Sequence, residues 1–148
     1  MDEKQFKEMI QFAIGREIDA INFYSQANKM VKHSGTKELF LDFAKQEEGH
    51  KKKLEGVLSG KVDVAKIQKV PNLKISDYLV DGELRPDILY ADILRIAMKR
   101  EERSVKLYTD LKERNQDATL NNLFTFLIQE ESKHKYYLEK LYDDEVLK

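Results

Sequence analysis

An all-α four-helix bundle, built of two antiparallel helical hairpins joined by one long crossover, is the fold this sequence predicts. Three observations lead there. Apolar residues recur at alternating steps of three and four along four long segments, the pattern of a helix with one buried face. Two short polar turns, HSGT at 33–36 and RNQDAT at 114–119, separate the segments within each pair. Between the pairs, SGKVDVAKIQKVPNLKISDYLVDGELRP at 59–86 carries both prolines and loses the helical period. Short turns force their flanking helices antiparallel, whereas the central stretch is long enough to run the length of the bundle. No segment alternates with period two, so strands have little support.

The elements follow in order. Asp2 with Gln5 three residues on forms a capping-box pattern opening helix 1. Its stripe is Phe6, Ile10, Ala13, Glu17, Ala20, Tyr24, Ala27 and Val31. Thr36 is the expected N-cap of helix 2, whose seam runs Phe40, Phe43, Glu47, His50, Leu54 and Val57. The first hairpin thus covers about 3–58, and the crossover about 59–86 includes one short helical turn at 75–80. Pro86 suits the first turn of helix 3, with the stripe Tyr90, Leu94, Ala97, Glu101, Ser104, Tyr108 and Leu111. Asp117 is a candidate cap for helix 4, which buries Leu120, Leu123, Leu127, Glu131, His134, Leu138 and Leu141 and closes the second hairpin, about 87–143.

Composition narrows the function classes. The 148 residues suit one domain, 1–148, large enough for a real core. A net charge of −1 with both signs interleaved argues against nucleic acid or a membrane surface as partner. No apolar run approaches a membrane span, and the polar, acidic start MDEKQF shows no secretory signal. The absence of cysteine excludes disulfides, thiolate metal sites and a cysteine nucleophile, and suits a reducing cytoplasm.

The seam itself holds the anomaly. Within QEEGHKKKLE at 46–55, Glu47 and His50 occupy core positions where leucines belong. An internal repeat shows that this is a pattern. At an offset of 84 residues, LFLDFAKQEEGHKKKLE falls on LFTFLIQEESKHKYYLE and AIGREIDAINFY falls on AMKREERSVKLY, with no gap between the blocks. Glu17, Tyr24, Glu47 and His50 then match Glu101, Tyr108, Glu131 and His134. Neighbouring acids do not repeat in this way: Glu48 falls on Ser132, and Gln46 on Glu130.

Height along the helices gives an independent check. Counted from the first turn at 1.5 Å per residue, Glu17 lies roughly 22 Å down helix 1, and Glu47 and His50 roughly 16 and 21 Å up helix 2. The second hairpin gives similar values, so all six residues converge on one level of the interior. Four unpaired carboxylates buried together would cost many kcal/mol or be forced to protonate. Two divalent cations would neutralise them, and the oxygen-rich, sulfur-free set suits iron or manganese better than structural zinc. A lone Glu-x-x-His on a charged helix is ordinary surface; two copies on the seam, each opposite a seam glutamate, are not. Tyr24, Tyr108 and Ser104 lie on the same stripes near the six and are candidates to sit beside them, whereas His33 and Lys51–Lys53 read as surface.

This combination resembles the ferritin-like di-iron carboxylate proteins, and within them the rubrerythrin-like branch without a rubredoxin domain. The resemblance covers nearly the whole chain. It implies that Glu47 and Glu131 bridge two iron ions (or manganese), with Glu17 and His50 serving one and Glu101 and His134 the other. It further implies an oxidoreductase reducing dioxygen or hydrogen peroxide; the alternative is a non-catalytic iron carrier or sensor. Full rubrerythrins feed electrons through a cysteine-ligated iron domain, so here a separate electron donor protein is expected. They also carry an extra helix 3 glutamate where this chain has Ser104, which points to slow peroxide chemistry. With no fifth helix, a storage cage is not expected, and a homodimer is compatible.

Overall fold

The computed structural model describes residues 3–60, 78, 80 and 82–147. Four helices account for most of them: α1 (Glu3–Met30), α2 (Ser34–Ser59), α3 (Tyr90–Glu113) and α4 (Ala118–Glu145), with no strand among the described residues. The expected cap at Asp2 lies outside the described residues, as does the expected helical turn at 75–80 apart from Tyr78 and Val80.

Helices α1 and α2 pack along their length as one hairpin, and α3 and α4 as the other; α1–α3 and α2–α4 approach less closely. This places α1 diagonally across from α4. All eight residues of the expected α1 stripe are buried, including Glu17 at 2 % exposure. The stripe of α4 held from Leu127 through Leu138, but its first turns bury Phe124 as well. Phe124 stands four residues after Leu120, so it closes the same face that Leu120 and Leu123 only half cover.

Two expected helix starts are corrected. Helix α2 begins at Ser34 with His33 as its extended N-cap residue, and no side chain caps it. Thr36 lies inside the helix, buried, with its hydroxyl 3.1 Å from that of Tyr90 at the start of α3. The turn is therefore shorter than the HSGT signal suggests. It is tied across instead: Lys37 Nζ donates to the Asn28 carbonyl at 2.8 Å, satisfying an end group of α1. Helix α3 begins at Tyr90 rather than near Pro86. Ile88 N donates to the Arg85 carbonyl at 3.0 Å, so Pro86 takes the second position of a β-turn, where its fixed φ is equally at home. Just before it, Gly82 has φ +126°, and a Cβ there would stand 2.9 Å from the Ile96 side chain, so only glycine fits. The expectation for Asp117 held: it caps α4 by accepting from Leu120 N at 3.0 Å.

The core divides into two apolar clusters at opposite ends of the bundle. Phe6, Ile10, Leu54, Leu107, Phe124 and Leu127 belong to one, and Val31, Phe40, Phe43, Leu94 and Leu138 to the other. Tyr78 of the crossover joins the first, buried to 2 %, and donates to Asp110 at 2.7 Å. Between the clusters lies a polar layer.

Candidate metal centre

That layer consists of Glu17, Glu47, His50, Glu101, Glu131 and His134, each no more than 2 % exposed. Helix periodicity brings them there. Glu47 and His50, like Glu131 and His134, are three residues apart and share one face of α2 and of α4. Glu17 and Glu101 enter from α1 and α3. The side chains form two overlapping quartets, Glu17–Glu47–His50–Glu131 and Glu47–Glu101–Glu131–His134. In each, one oxygen or ring nitrogen per residue lies within 4.8 Å of the others. Either quartet could hold a metal ion, and Glu47 and Glu131 belong to both.

Both imidazoles present Nδ1 to the carboxylates. His50 Nδ1 lies 3.0 Å from Glu47 and Glu131 and 3.8 Å from Glu17. His134 Nδ1 lies 3.4 Å from Glu101, 3.5 Å from Glu47 and 3.8 Å from Glu131.

The tyrosines cross between hairpins. Tyr24 of α1 donates to Glu101 Oε1 of α3 at 2.6 Å, and Tyr108 of α3 donates to Glu17 Oε1 of α1 at 2.6 Å. Burial raises both phenols well above their ordinary range, with the facing Glu101 and Glu17 carboxylates adding to it, so they remain neutral donors. Each bond leaves the second oxygen of its carboxylate, Glu17 Oε2 or Glu101 Oε2, buried without a hydrogen-bond partner among the described residues. Both oxygens of Glu47 and both of Glu131 are likewise unpartnered, as is His50 Nδ1. Buried polar atoms are normally satisfied, so this concentration around one space leaves room for a partner that the described side chains do not supply.

Electrostatics agrees. Burial raises the Glu47 and Glu131 carboxyls well above the usual range, and the neighbouring glutamates raise them further. Burial alone would lower His50, but Glu131 and Glu17 outweigh it and push the ring up to about 10. A metal-free centre therefore recruits protons to offset its charge; divalent cations would do so without them.

Of the residues the sequence placed near the six, Tyr24 and Tyr108 touch the carboxylates directly. Ser104 is half-buried, and among the described residues no hydrogen bond joins it to the site. Two contacts escaped the sequence reading. Gln46 Oε1 lies 2.8 Å from His134 Nε2, and the Phe43 ring stacks on His134 with centroids 4.0 Å apart. Gln46 looked like a mere neighbour of Glu47 because the repeat does not preserve it.

Paired hairpins around an interior glutamate–histidine layer define a ferritin-like carboxylate bundle. Within that class the chain belongs to the rubrerythrin family, whose profile matches residues 8–142. No curated protein matches it. Among solved structures, a hypothetical protein of Pyrococcus furiosus is 26% identical with a TM-score of 0.73, covering 93% of this chain and 88% of that one. A Thermotoga maritima protein described as a ferritin-like diiron-carboxylate protein is 21% identical with a TM-score of 0.72, covering 92% and 93%. CopM in its Cu(I)-bound form is 13% identical with a TM-score of 0.67, covering 94% and 96%. The last two share the fold alone.

Proposed function

We propose that Glu17, Glu47, His50 and Glu131 hold one divalent cation, that Glu47, Glu101, Glu131 and His134 hold a second, and that the protein is a non-haem di-iron oxidoreductase. Manganese suits the same ligands. One observation carries the reading. The two glutamates common to both quartets meet the imidazole Nδ1 atoms and, among the described residues, accept from no tyrosine, whereas the two that belong to one quartet each give an oxygen to a tyrosine. A carboxylate that reaches both quartets and gives no oxygen to a tyrosine is the better placed to serve two cations; one held by a tyrosine and reaching one quartet is placed to serve one.

A bound iron pair supplies electrons to dioxygen or hydrogen peroxide. The chain's own residues prepare the place. Tyr108 ties down Glu17 Oε1 and leaves Oε2 3.8 Å from His50 Nδ1, while Tyr24 ties down Glu101 Oε1, the oxygen that also lies 3.4 Å from His134 Nδ1. The apolar clusters on either side keep bulk water from the layer, which strengthens every charge interaction inside it. Electrons would come from a separate donor protein, because these 148 residues contain no cysteine with which to build a rubredoxin-type iron site. No described helix is long and apolar enough to cross a membrane, and we place the protein in the cytoplasm, where a homodimer is compatible with the exposed outer faces.

Metal analysis of protein purified from its native host, followed by stopped-flow mixing of the di-ferrous form with oxygen or peroxide, tests this. Two ions per chain and oxidation that turns over with a reductant are expected. A stable content of one, unaffected by Glu101→Ala, would sink the dinuclear reading. Two ions without turnover would assign the protein to iron carriage or sensing.

A further inference from the structure

The two halves of the centre match in their carboxylates and tyrosines but not in what holds their histidines. His134 is gripped on two sides: Gln46 Oε1 at 2.8 Å from Nε2, and the Phe43 ring stacked on its face at 4.0 Å with 23° between planes. An amide oxygen only accepts, so Nε2 donates to it, and Nδ1, 3.4 Å from Glu101, is the nitrogen that would offer its lone pair to a cation. The same offset of 84 residues puts Glu130 and Leu127 in the corresponding places around His50. Neither reproduces the grip. Glu130 turns to Lys133 at 3.5 Å, and Leu127 has no ring to stack. His50 instead meets Phe126 edge-on at 5.8 Å, and among the described residues nothing hydrogen-bonds its Nε2. Phe126 and Lys53 also border a cleft of about 670 Å³ between α2 and α4, on whose far side from solvent Phe126 meets the His50 ring.

We infer that Gln46 is a positioning residue that makes the two cation sites unequal: by holding His134, it renders the Glu101–His134 half the tighter site and the first to fill. The inference rests on the reading of the quartets as cation sites. Physically, a ring already held in its binding tautomer and orientation loses less freedom when it coordinates. Among the described residues the His50 ring is held only through Nδ1, the atom a cation would take, and has no such support on its outer side. Loss of such a supporting hydrogen bond typically weakens metal affinity by about 10- to 100-fold.

The test titrates metal-free, full-length protein with Co²⁺, followed by visible absorption and calorimetry. Two phases of unequal affinity are expected, with His134→Ala removing the tighter and His50→Ala the weaker. Gln46→Met, which keeps the volume at this half-buried position but loses the acceptor, should weaken the tighter phase about 10- to 100-fold and spare the other. Gln46→Glu should restore it, and Glu130→Gln should change neither. Thermal melts of each variant keep a folding defect from passing as a binding one. Equal phases in the native protein, a tighter phase that follows His50, or a Gln46→Met loss spread over both phases and not rescued by glutamate would overturn the inference. Failure to bind cobalt at all would overturn the cation reading itself, and this inference with it.

Discussion

The α1–α2 and α3–α4 hairpins carry the same four polar residues at the same heights, yet they are unequal beyond those positions. Glu17, Tyr24, Glu47 and His50 coincide with Glu101, Tyr108, Glu131 and His134, whereas Ala20 stands against Ser104, Phe43 against Leu127 and Gln46 against Glu130. Where a side chain faces the shared interior, both halves use one chemistry, because each quartet draws on both hairpins. One turn away the halves diverge: Phe43 and Gln46 of the first hairpin hold His134 of the second, whereas His50 meets the edge of Phe126. The difference teaches that the centre's pseudo-twofold symmetry is a property of charge and reach, not of the whole fold.

The bluntest way to break this symmetry is at the shared carboxylates. Glu47→Ala or Glu131→Ala should abolish paired binding in both halves, lowering affinity by more than about 100-fold, since each removes a ligand from both quartets. Glu48→Ala and Glu130→Ala, rotated about 100° off the seam, should leave the paired stoichiometry intact. Cobalt or iron content per chain reads the contrast. Equal losses from Glu130→Ala and Glu131→Ala would show that the inward register of α4 is misassigned.

Next in size come the crossed tyrosines. Tyr24→Phe or Tyr108→Phe leaves a buried carboxylate oxygen without its donor, which should cost about 1 to 3 kcal/mol in denaturant melts of the metal-free protein. If the halves are alike in this respect, the two variants should lose similar amounts; a large disparity would mean that one hairpin dominates the docking.

Metal-free protein should also respond to pH in a definite sense. Glu47 and Glu131 are raised in the folded state, and so is His50, to about 10. Raised carboxyls penalise folding once pH exceeds the unfolded value of about 4.5. A raised histidine contributes stability that is full below about 6.5 and fades as pH climbs through its folded value. All three act in one direction, so the melting temperature of the metal-free form should fall as pH rises from about 5 to about 10. Glu47→Gln, which removes one such carboxyl, should stabilise the metal-free form at neutral pH by about 1 to 3 kcal/mol in denaturant melts while lowering metal content. A native metal-free protein that grows more stable with pH would contradict the charge balance drawn here.

The smallest expected effect concerns Ser104, the position where the halves differ without a hydrogen bond to show for it. Ser104→Glu would add a carboxylate one turn from Glu101 and should raise the rate of peroxide oxidation of the di-ferrous form several-fold, measured by stopped flow. Unchanged or slower oxidation would show that this position does not limit the site.

Much of this was legible in the sequence because the signals are periodic. A buried stripe, a repeat offset and a rise per residue depend on spacing alone, so they bring the six residues to one level of the interior. What spacing does not specify is which side chain completes a hydrogen bond across helices. Tyr24 lies two turns beyond Glu17 on its own helix, yet it bonds Glu101 of the other hairpin. Helix ends were equally opaque: Thr36 has cap chemistry but finds Tyr90, and Pro86 fits a β-turn as well as a first helical turn. Gln46 was hidden because the repeat, the strongest signal in the chain, singles out only what both halves share.

The crossed tyrosine bonds have a consequence for assembly. Neither hairpin satisfies its own glutamate: Glu17 depends on Tyr108 and Glu101 on Tyr24. A single hairpin would leave its phenol and carboxylate unmatched, so each hairpin depends on the other to satisfy them. Covalent linkage gives the two hairpins a high local concentration for each other, and among its described residues the crossover adds Tyr78 to one apolar cluster. A chain severed within the crossover should therefore reassociate into a heterodimer with the interior layer intact, and added divalent cation should tighten that association by binding only the docked pair.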